Sequence, residues 1–217
     1  MASLPRRFAA LAAKTPRPRT SGAKSTALAG QAVELEIVLR YIKPRIWRRF
    51  VVPGRIKLHR LHGVIQIVMG WTNSHLHSFR SGACEYVQRD PDDAGWQDTF
   101  SDTIICDERK HTLSDLVGAK GDKFSYTYDF GDNWMHELKV RSIRPTAKPL
   151  PAAFCVAGAR ACPPEDCGSV PGYEELCAAL PDPKHPDHEH WKNWIGDYDP
   201  EAFDCETVNQ LLVGLKV

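Results

Sequence analysis

Four side chains with acid, base or metal-ligand chemistry lie within nine residues of one another in FSYTYDFGDNWMHELKV (residues 124–140): Asp129, Asp132, His136 and Glu137. Carboxylates beside an imidazole can hold a divalent ion for hydrolysis of a phosphodiester or an amide, and a His beside an Asp can act as general base. The same groups can also accept turn N–H groups and merely hold a hairpin closed. Upstream, His75 and His77 stand two residues apart in WTNSHLHSF, which on a strand presents two imidazoles to one side. Downstream, Cys162 and Cys167 bracket Pro163-Pro164-Glu165-Asp166, and thiolates at that spacing can reach one zinc ion if two further ligands arrive from elsewhere. No second such cysteine pair follows, so His75, His77 or His136 would have to complete the site. Otherwise both cysteines are small loop residues, and Glu165 and Asp166 make turn or cap contacts. His185, His188 and His190 fall in a polar, proline-punctuated stretch whose default is exposure.

The elements that must position these groups are readable from periodicity. VELEIVLRY from Val33 alternates apolar and polar residues as a half-buried strand does, and Ile46 to Val52 gives a second strand that ends at Pro53-Gly54. Within it Arg48 and Arg49, with Arg45 just before, sit beside Trp47 and Phe50. Basic residues among aromatics can stack on nucleotides or simply cap a sheet face. Leu58 to Met69 carries apolar residues at three- and four-residue steps, a helix that Gly70 can end. Phe124, Tyr126 and Tyr128 alternate into Asp129-Phe130-Gly131-Asp132-Asn133, residues that suit a tight turn, and Met135 to Val140 continues as the return strand. Residues 89–102 read as an acidic, solvated excursion, 103–106 as a short strand and 113–117 as a short helix.

Composition excludes several classes. The 217 residues suit one well-packed domain with appendages, and a formal net charge of +1 gives no whole-protein case for nucleic acid or an acidic partner. Six cations and no acid occupy the first 33 residues, so residues 1–32 read as a basic, disordered leader and 33–217 as one domain. That domain divides into a sheet part, 33–143, and a helical C-terminal part, 144–217, after a proline-rich joint. Seven cysteines without an export signal predict reduced thiols in the cytoplasm, and no window is apolar enough for a membrane span. A phosphate-binding Gly-Lys-Ser/Thr loop, a dinucleotide fingerprint and a Gly-x-Ser-x-Gly elbow are all missing from the sequence.

YDFGDNWMHELKV, preceded by WTNSHLHSF and followed by ACPPEDCGSVPGYEEL and DPEAFDCETVN, resembles the family named for an open reading frame of the root-inducing plasmid, also labelled TnpR-like or insertion-element passenger proteins. The resemblance spans about Val33 to Leu212. It implies an α+β domain from plasmid, transposon or bacterial chromosomal settings. Its recognisable positions map to His75, His77, Asp129, Gly131, Asp132, Trp134, His136, Cys162, Pro163, Pro164, Glu165, Asp166, Gly168, Gly172 and Tyr173. Ser169-Val170-Pro171 departs from the family, which tends to another Gly and an aromatic there. The TnpR-like label suggests a resolvase, but the nucleophilic Ser and clustered arginines of a serine recombinase are absent.

These readings converge on an α+β fold: a largely antiparallel sheet, one long helix packed on it and a helical C-terminal part. Two functions are expected. One is an accessory protein of mobile DNA that binds nucleic acid or a protein partner through Arg45, Arg48, Arg49, Trp134, Glu165, Asp166 and Tyr173. The other is a hydrolase or nuclease that uses zinc or another divalent metal, drawing ligands from His75, His77, Asp129, Asp132 and His136, with Cys162 and Cys167 as further candidates.

Overall fold

The computed structural model describes residues 28–89, 102–148, 150 and 152–215. Residues 1–27 of the basic leader and 90–101 of the acidic excursion lie outside them. β1 (Gln31–Leu39) starts two residues before the expected Val33, and Leu28 ahead of it is already in the core. Val33, Leu35, Ile37 and Leu39 face inward in β1 while Glu34 and Glu36 face the other side, as the alternation requires. β2 (Trp47–Pro53) returns antiparallel to it. α1 (Leu58–Met69) buries Leu58, Leu61, Val64, Ile65 and Val68, and Gly70, at φ 99°, ends it with its N–H on the Gln66 carbonyl.

β3 (His77–Ser81), β4 (Cys84–Val87) and β5 (Ile104–Asp107) follow, then a 3-10 turn at Glu108–Lys110 and the short α2 (Leu113–Leu116). The central hairpin forms where its alternation places it, as β6 (Lys123–Tyr128) and β7 (Trp134–Pro145) paired from Tyr128↔Trp134 to Lys123↔Lys139. β8 (Phe154–Ala159) then adds to the free edge of β2. The eight-stranded sheet runs β5-β4-β3-β6-β7-β1-β2-β8, with every pair antiparallel except β4 and β5. α3 (Ser169–Ala179), α4 (His188–Ile195) and α5 (Cys205–Val213) complete the chain, α5 packing on β8 and α1.

The α+β class and the mainly antiparallel sheet are as expected. The single long helix is not: α1 has 12 residues and α3 has 11. Nor is the C-terminal part wholly helical, because FCVAGA returns to the sheet as β8. Only Cys155 of that strand is fully buried, and its small Ala and Gly residues mask the alternation. None of the described helices is long and apolar enough to cross a membrane.

Candidate metal centre

Three loops meet at one end of the sheet. The first, between α1 and β3, carries His75. The second is the β6–β7 turn, in which Asp129 and Asn133 adopt left-handed φ of 54° and 57° and the Asn133 N–H donates to the Asp129 carbonyl. The third, between β8 and α3, carries Glu165 and Asp166. The Asp129 N–H donates to the Leu76 carbonyl at 2.9 Å, which extends the β3–β6 ladder one rung and sets Asp129 beside His75.

His75 Nε2 is surrounded by carboxylate oxygens: Asp166 Oδ1 at 3.3 Å, Glu165 Oε2 at 3.6 Å and Asp129 Oδ2 at 3.8 Å. The donor atoms of His75, Asp129 and Asp166 all lie within 4.8 Å of one another. Two of the three carboxylates are held by their other oxygen. Asp129 Oδ1 accepts the Gly131 N–H at 2.8 Å. Glu165 Oε1 accepts from the Thr72 N–H at 2.9 Å, the Thr72 hydroxyl at 3.0 Å and the Tyr128 hydroxyl at 3.0 Å. The oxygens turned toward His75 are thereby left free. His75 Nε2 and Glu165 Oε2 are both shielded from solvent, and neither makes a hydrogen bond.

At bond lengths of ~2.1 Å, adjacent ligands of one ion sit roughly 3.0–3.4 Å apart, close to the separations around His75. Three carboxylates facing one imidazole also leave a net negative charge in a partly shielded site, and a divalent cation would offset it. The donor set of one imidazole and hard oxygens suits Mn²⁺, Fe²⁺ or Zn²⁺. The Asp166 side chain is 72% exposed, so one side of the site opens to solvent.

The β8–α3 loop is anchored along its length. Trp71 Nε1 donates to the Pro163 carbonyl at 3.0 Å, the Tyr198 hydroxyl to the Cys162 carbonyl at 2.8 Å, and the Ser169 hydroxyl to the Asp132 carbonyl at 2.8 Å. A Cβ on Gly172 would lie 1.9 Å from the Cys167 carbonyl oxygen, so the first turn of α3 closes on this loop only with glycine there. Burial and the Glu165 carboxylate push the Tyr128 hydroxyl up to about 12, keeping it a donor to Glu165.

The other expected ligands lie elsewhere. β3 begins only at His77, and Asn73 at φ 61° turns the chain before it, so His75 and His77 do not share a strand face. His77 Nε2 pairs with Glu108 Oε2 at 2.8 Å, both buried, and its ring stacks on His62 at 3.5 Å. His62 Nε2 donates to Asn73 Oδ1, which leaves Nδ1 to accept from the Tyr126 hydroxyl. His136 is fully buried, its Nδ1 bonded to the Tyr126 carbonyl, and burial drives its imidazole down to about 3. Asp132 Oδ2 accepts the Gly168 N–H at 3.2 Å and ties the hairpin turn to the third loop. Cys162 and Cys167 are buried, burial pushing both thiols upward, Cys167 to about 12; neither belongs to the three-ligand cluster found among the described residues.

The expected basic strand requires correction. Arg48 is 2% exposed and donates to four backbone carbonyls: Val68, Trp47, Ala159 and Arg160. Its guanidinium also lies 4.1 Å over the Phe203 ring. It clamps α1, β2 and β8 together and presents nothing to a partner. Arg49 pairs with Glu34 at 3.1 Å, and Arg45 remains exposed near the Trp47 ring. Trp134 and Tyr173 are core residues rather than binding surface. The participation of Glu165 and Asp166 beside His75 escapes residue-level reasoning, because some 90 positions separate the partners; their place among the family's recognisable positions is the one pointer in the sequence.

This fold and these motifs belong to a family: the chain is a member of the plasmid pRiA4b ORF-3-like proteins, the match covering residues 31–207. It is 37% identical over 185 residues to the uncharacterized protein y4hQ of Sinorhizobium fredii, an alignment covering 84% of this chain and 91% of that protein. The crystal structure of the protein of unknown function MM3350 from Methanosarcina mazei Go1 superposes with a TM-score of 0.70 at 34% identity, covering 82% of this chain and 97% of that one.

Proposed function

We propose that the protein is a cytoplasmic metal-dependent hydrolase whose divalent ion is held by His75, Asp129 and Asp166, with Glu165 as a fourth ligand. One observation carries this reading. His75 Nε2 faces three carboxylate oxygens at 3.3–3.8 Å, while it and Glu165 Oε2 are shielded and without a hydrogen bond. A purely structural cluster would settle its imidazole N–H on one carboxylate at hydrogen-bond distance, as His77 does on Glu108.

Hydrolysis is favoured over a structural ion by the open side at Asp166. Structural sites close their coordination shell with protein ligands, whereas catalytic sites leave a position for water or substrate. The chemistry an ion supplies there is Lewis-acid polarisation of the scissile bond and a lowered pKa for bound water. Glu165 and Asp129, each fixed through its second oxygen, keep the ligand geometry rigid. All seven cysteines are free thiols, which suits a reducing cytoplasm.

The test is titration calorimetry of the chelator-treated full chain with Mn²⁺ and Zn²⁺, followed by turnover assays of the loaded protein on phosphodiester, phosphomonoester and amide substrates. One ion per chain, with turnover that needs the ion and is lost in His75→Ala, supports the reading. No saturable binding of either ion overturns it, and binding without turnover on any substrate reduces it to a structural or storage site.

A further inference from the structure

The opposite face of the sheet carries charged pairs along neighbouring strands. Arg49 on β2 meets Glu34 on β1 at 3.1 Å, Arg141 on β7 meets Glu36 on β1 at 3.9 Å, and Lys123 on β6 meets Glu137 on β7 at 2.9 Å. Two arginines beside these pairs are exceptions. Among the described residues, neither Arg40 nor Arg80 has a carboxylate within ion-pairing distance, and both are exposed. They flank one cleft of about 290 Å³ that Lys123, Ser81 and Ser125 also line.

The strand register brings them together. Arg80 on β3 is opposite Ser125 on β6, which is opposite Glu137 on β7. Arg40, just past the end of β1, donates its N–H to the Met135 carbonyl on the far side of β7. The two guanidiniums therefore reach in from either side of the β6–β7 pair. Gly82, at φ 60°, forms the β3–β4 turn at the rim without a side chain to obstruct it. His136 meets the cleft only beneath its floor: its imidazole turns to the core face of β7 with Trp134 and Leu138, where burial lowers it to about 3. In the cleft lining three cations meet one carboxylate, Glu137, that Lys123 already occupies; Glu85, opposite Arg80 on β4, is a cross-strand neighbour but forms no ion pair with it.

We propose that this cleft binds a phosphate group. The Arg80 guanidinium, free of any ion pair among the described residues, and the Arg40 guanidinium, stacked 5.1 Å from the Tyr41 ring centroid, both line this small polar cavity. They match the bidentate geometry of a phosphoryl oxygen pair, with the Ser125 hydroxyl as an additional donor; the Ser81 hydroxyl is spent on the Leu116 carbonyl. The cavity is small and its exposed lining is charged or hydroxylic, which favours a compact anion over an apolar ligand. Such a phosphate comes from a small phosphorylated molecule or from a nucleic-acid backbone. The inference is independent of the ion at His75, which sits at the turn end of the hairpin. Asp129 is four residues along the chain from Ser125, roughly 13 Å in an extended strand.

The experiment is calorimetric titration of the full chain, kept in chelator so that no ion at His75 can recruit phosphate. The probes are inorganic phosphate, pyrophosphate and a single-stranded oligonucleotide of about twelve nucleotides. The wild type is expected to bind pyrophosphate saturably, with affinity falling at least ~10-fold in Arg40→Gln and in Arg80→Gln. Arg141→Gln removes a cation from the same sheet face outside the cleft and is expected to leave the affinity unchanged. Both cleft arginines are exposed, so the variants should melt like the wild type. If the oligonucleotide alone binds, with the same dependence on Arg40 and Arg80, the phosphate belongs to a nucleic-acid backbone. Absence of binding by every probe, or equal losses in Arg141→Gln and the cleft variants, overturns the proposal.

Discussion

Tyr128 and Glu165 are joined by a 3.0 Å hydrogen bond in which the phenol donates to the carboxylate oxygen turned away from His75. The same hydroxyl accepts the Ser74 N–H at 2.9 Å, so one side chain on β6 positions both the Glu165 carboxylate and the loop that carries His75.

Tyr128→Phe should therefore weaken metal binding without touching a ligand. Partners of this kind typically contribute about 10- to 100-fold in affinity, and that is the loss expected for Mn²⁺ or Zn²⁺. The stability cost should be modest, about 1–3 kcal/mol for the Ser74 N–H and Glu165 oxygen left short of a partner. Calorimetry and urea denaturation on the same preparations separate the two effects. An unchanged affinity would show that Thr72 alone is enough to hold Glu165.

Metal should stabilise the fold, and the increment should disappear with the ligands. At a hundredfold excess over its dissociation constant an ion adds about 2.7 kcal/mol, or roughly 5–10 °C in Tm for a domain of this size. Asp166→Asn is the cleanest probe, because that side chain is exposed and its loss leaves no buried group unpaired. It should melt like the wild type in chelator and gain far less on addition of Mn²⁺. Scanning calorimetry with and without the ion reads this directly.

Arg48→Met should cost at least ~3 kcal/mol, because the Val68, Trp47, Ala159 and Arg160 carbonyls lose their donor in the interior. Arg48→Lys should rescue only part of that, since a point ammonium cannot fork across four acceptors. Denaturant titration gives both values. If Arg48→Met were as stable as the wild type, the clamp between α1, β2 and β8 would be redundant.

The position of Arg48 is legible in the sequence. Ile46, Arg48, Phe50 and Val52 alternate along β2, so the period that places Phe50 and Val52 in the core places Arg48 there too. Strands β1, β6 and β7 and helix α1 could be read because their apolar periods are unbroken. β8 could not, since Phe154 and Val156 face outward and the inward positions hold Cys155 and small residues. For the site, Asp129 and His75 stood out by chemistry, but a two-residue spacing paired His75 with His77. What separates them is the start of β3 at His77, a boundary set by the ladder to Tyr128 rather than by local propensity.

Buried histidines should make the fold acid-sensitive at a pH well above that at which carboxylates titrate. Burial lowers the imidazole of His136 to about 3, and burial with the neighbouring His77 lowers that of His62 to about 4. In the unfolded chain both return to about 6.5. Between that value and the folded ones the unfolded state binds protons that the native state refuses, so protonation favours unfolding. The stability these neutral rings permit is complete above about pH 6.5. It declines as pH falls, by up to ~1.4 kcal/mol per pH unit for each group, and levels off only below the folded values. Urea unfolding at intervals from pH 7.5 to 4.5 should show this slope in chelator, where metal release makes no contribution. His136→Gln removes one of the two titrations and can still donate to the Tyr126 carbonyl. Whatever its absolute stability, its slope should be shallower by about one proton, and an unchanged slope would mean that His136 takes up its proton in the folded state as readily as in the unfolded one.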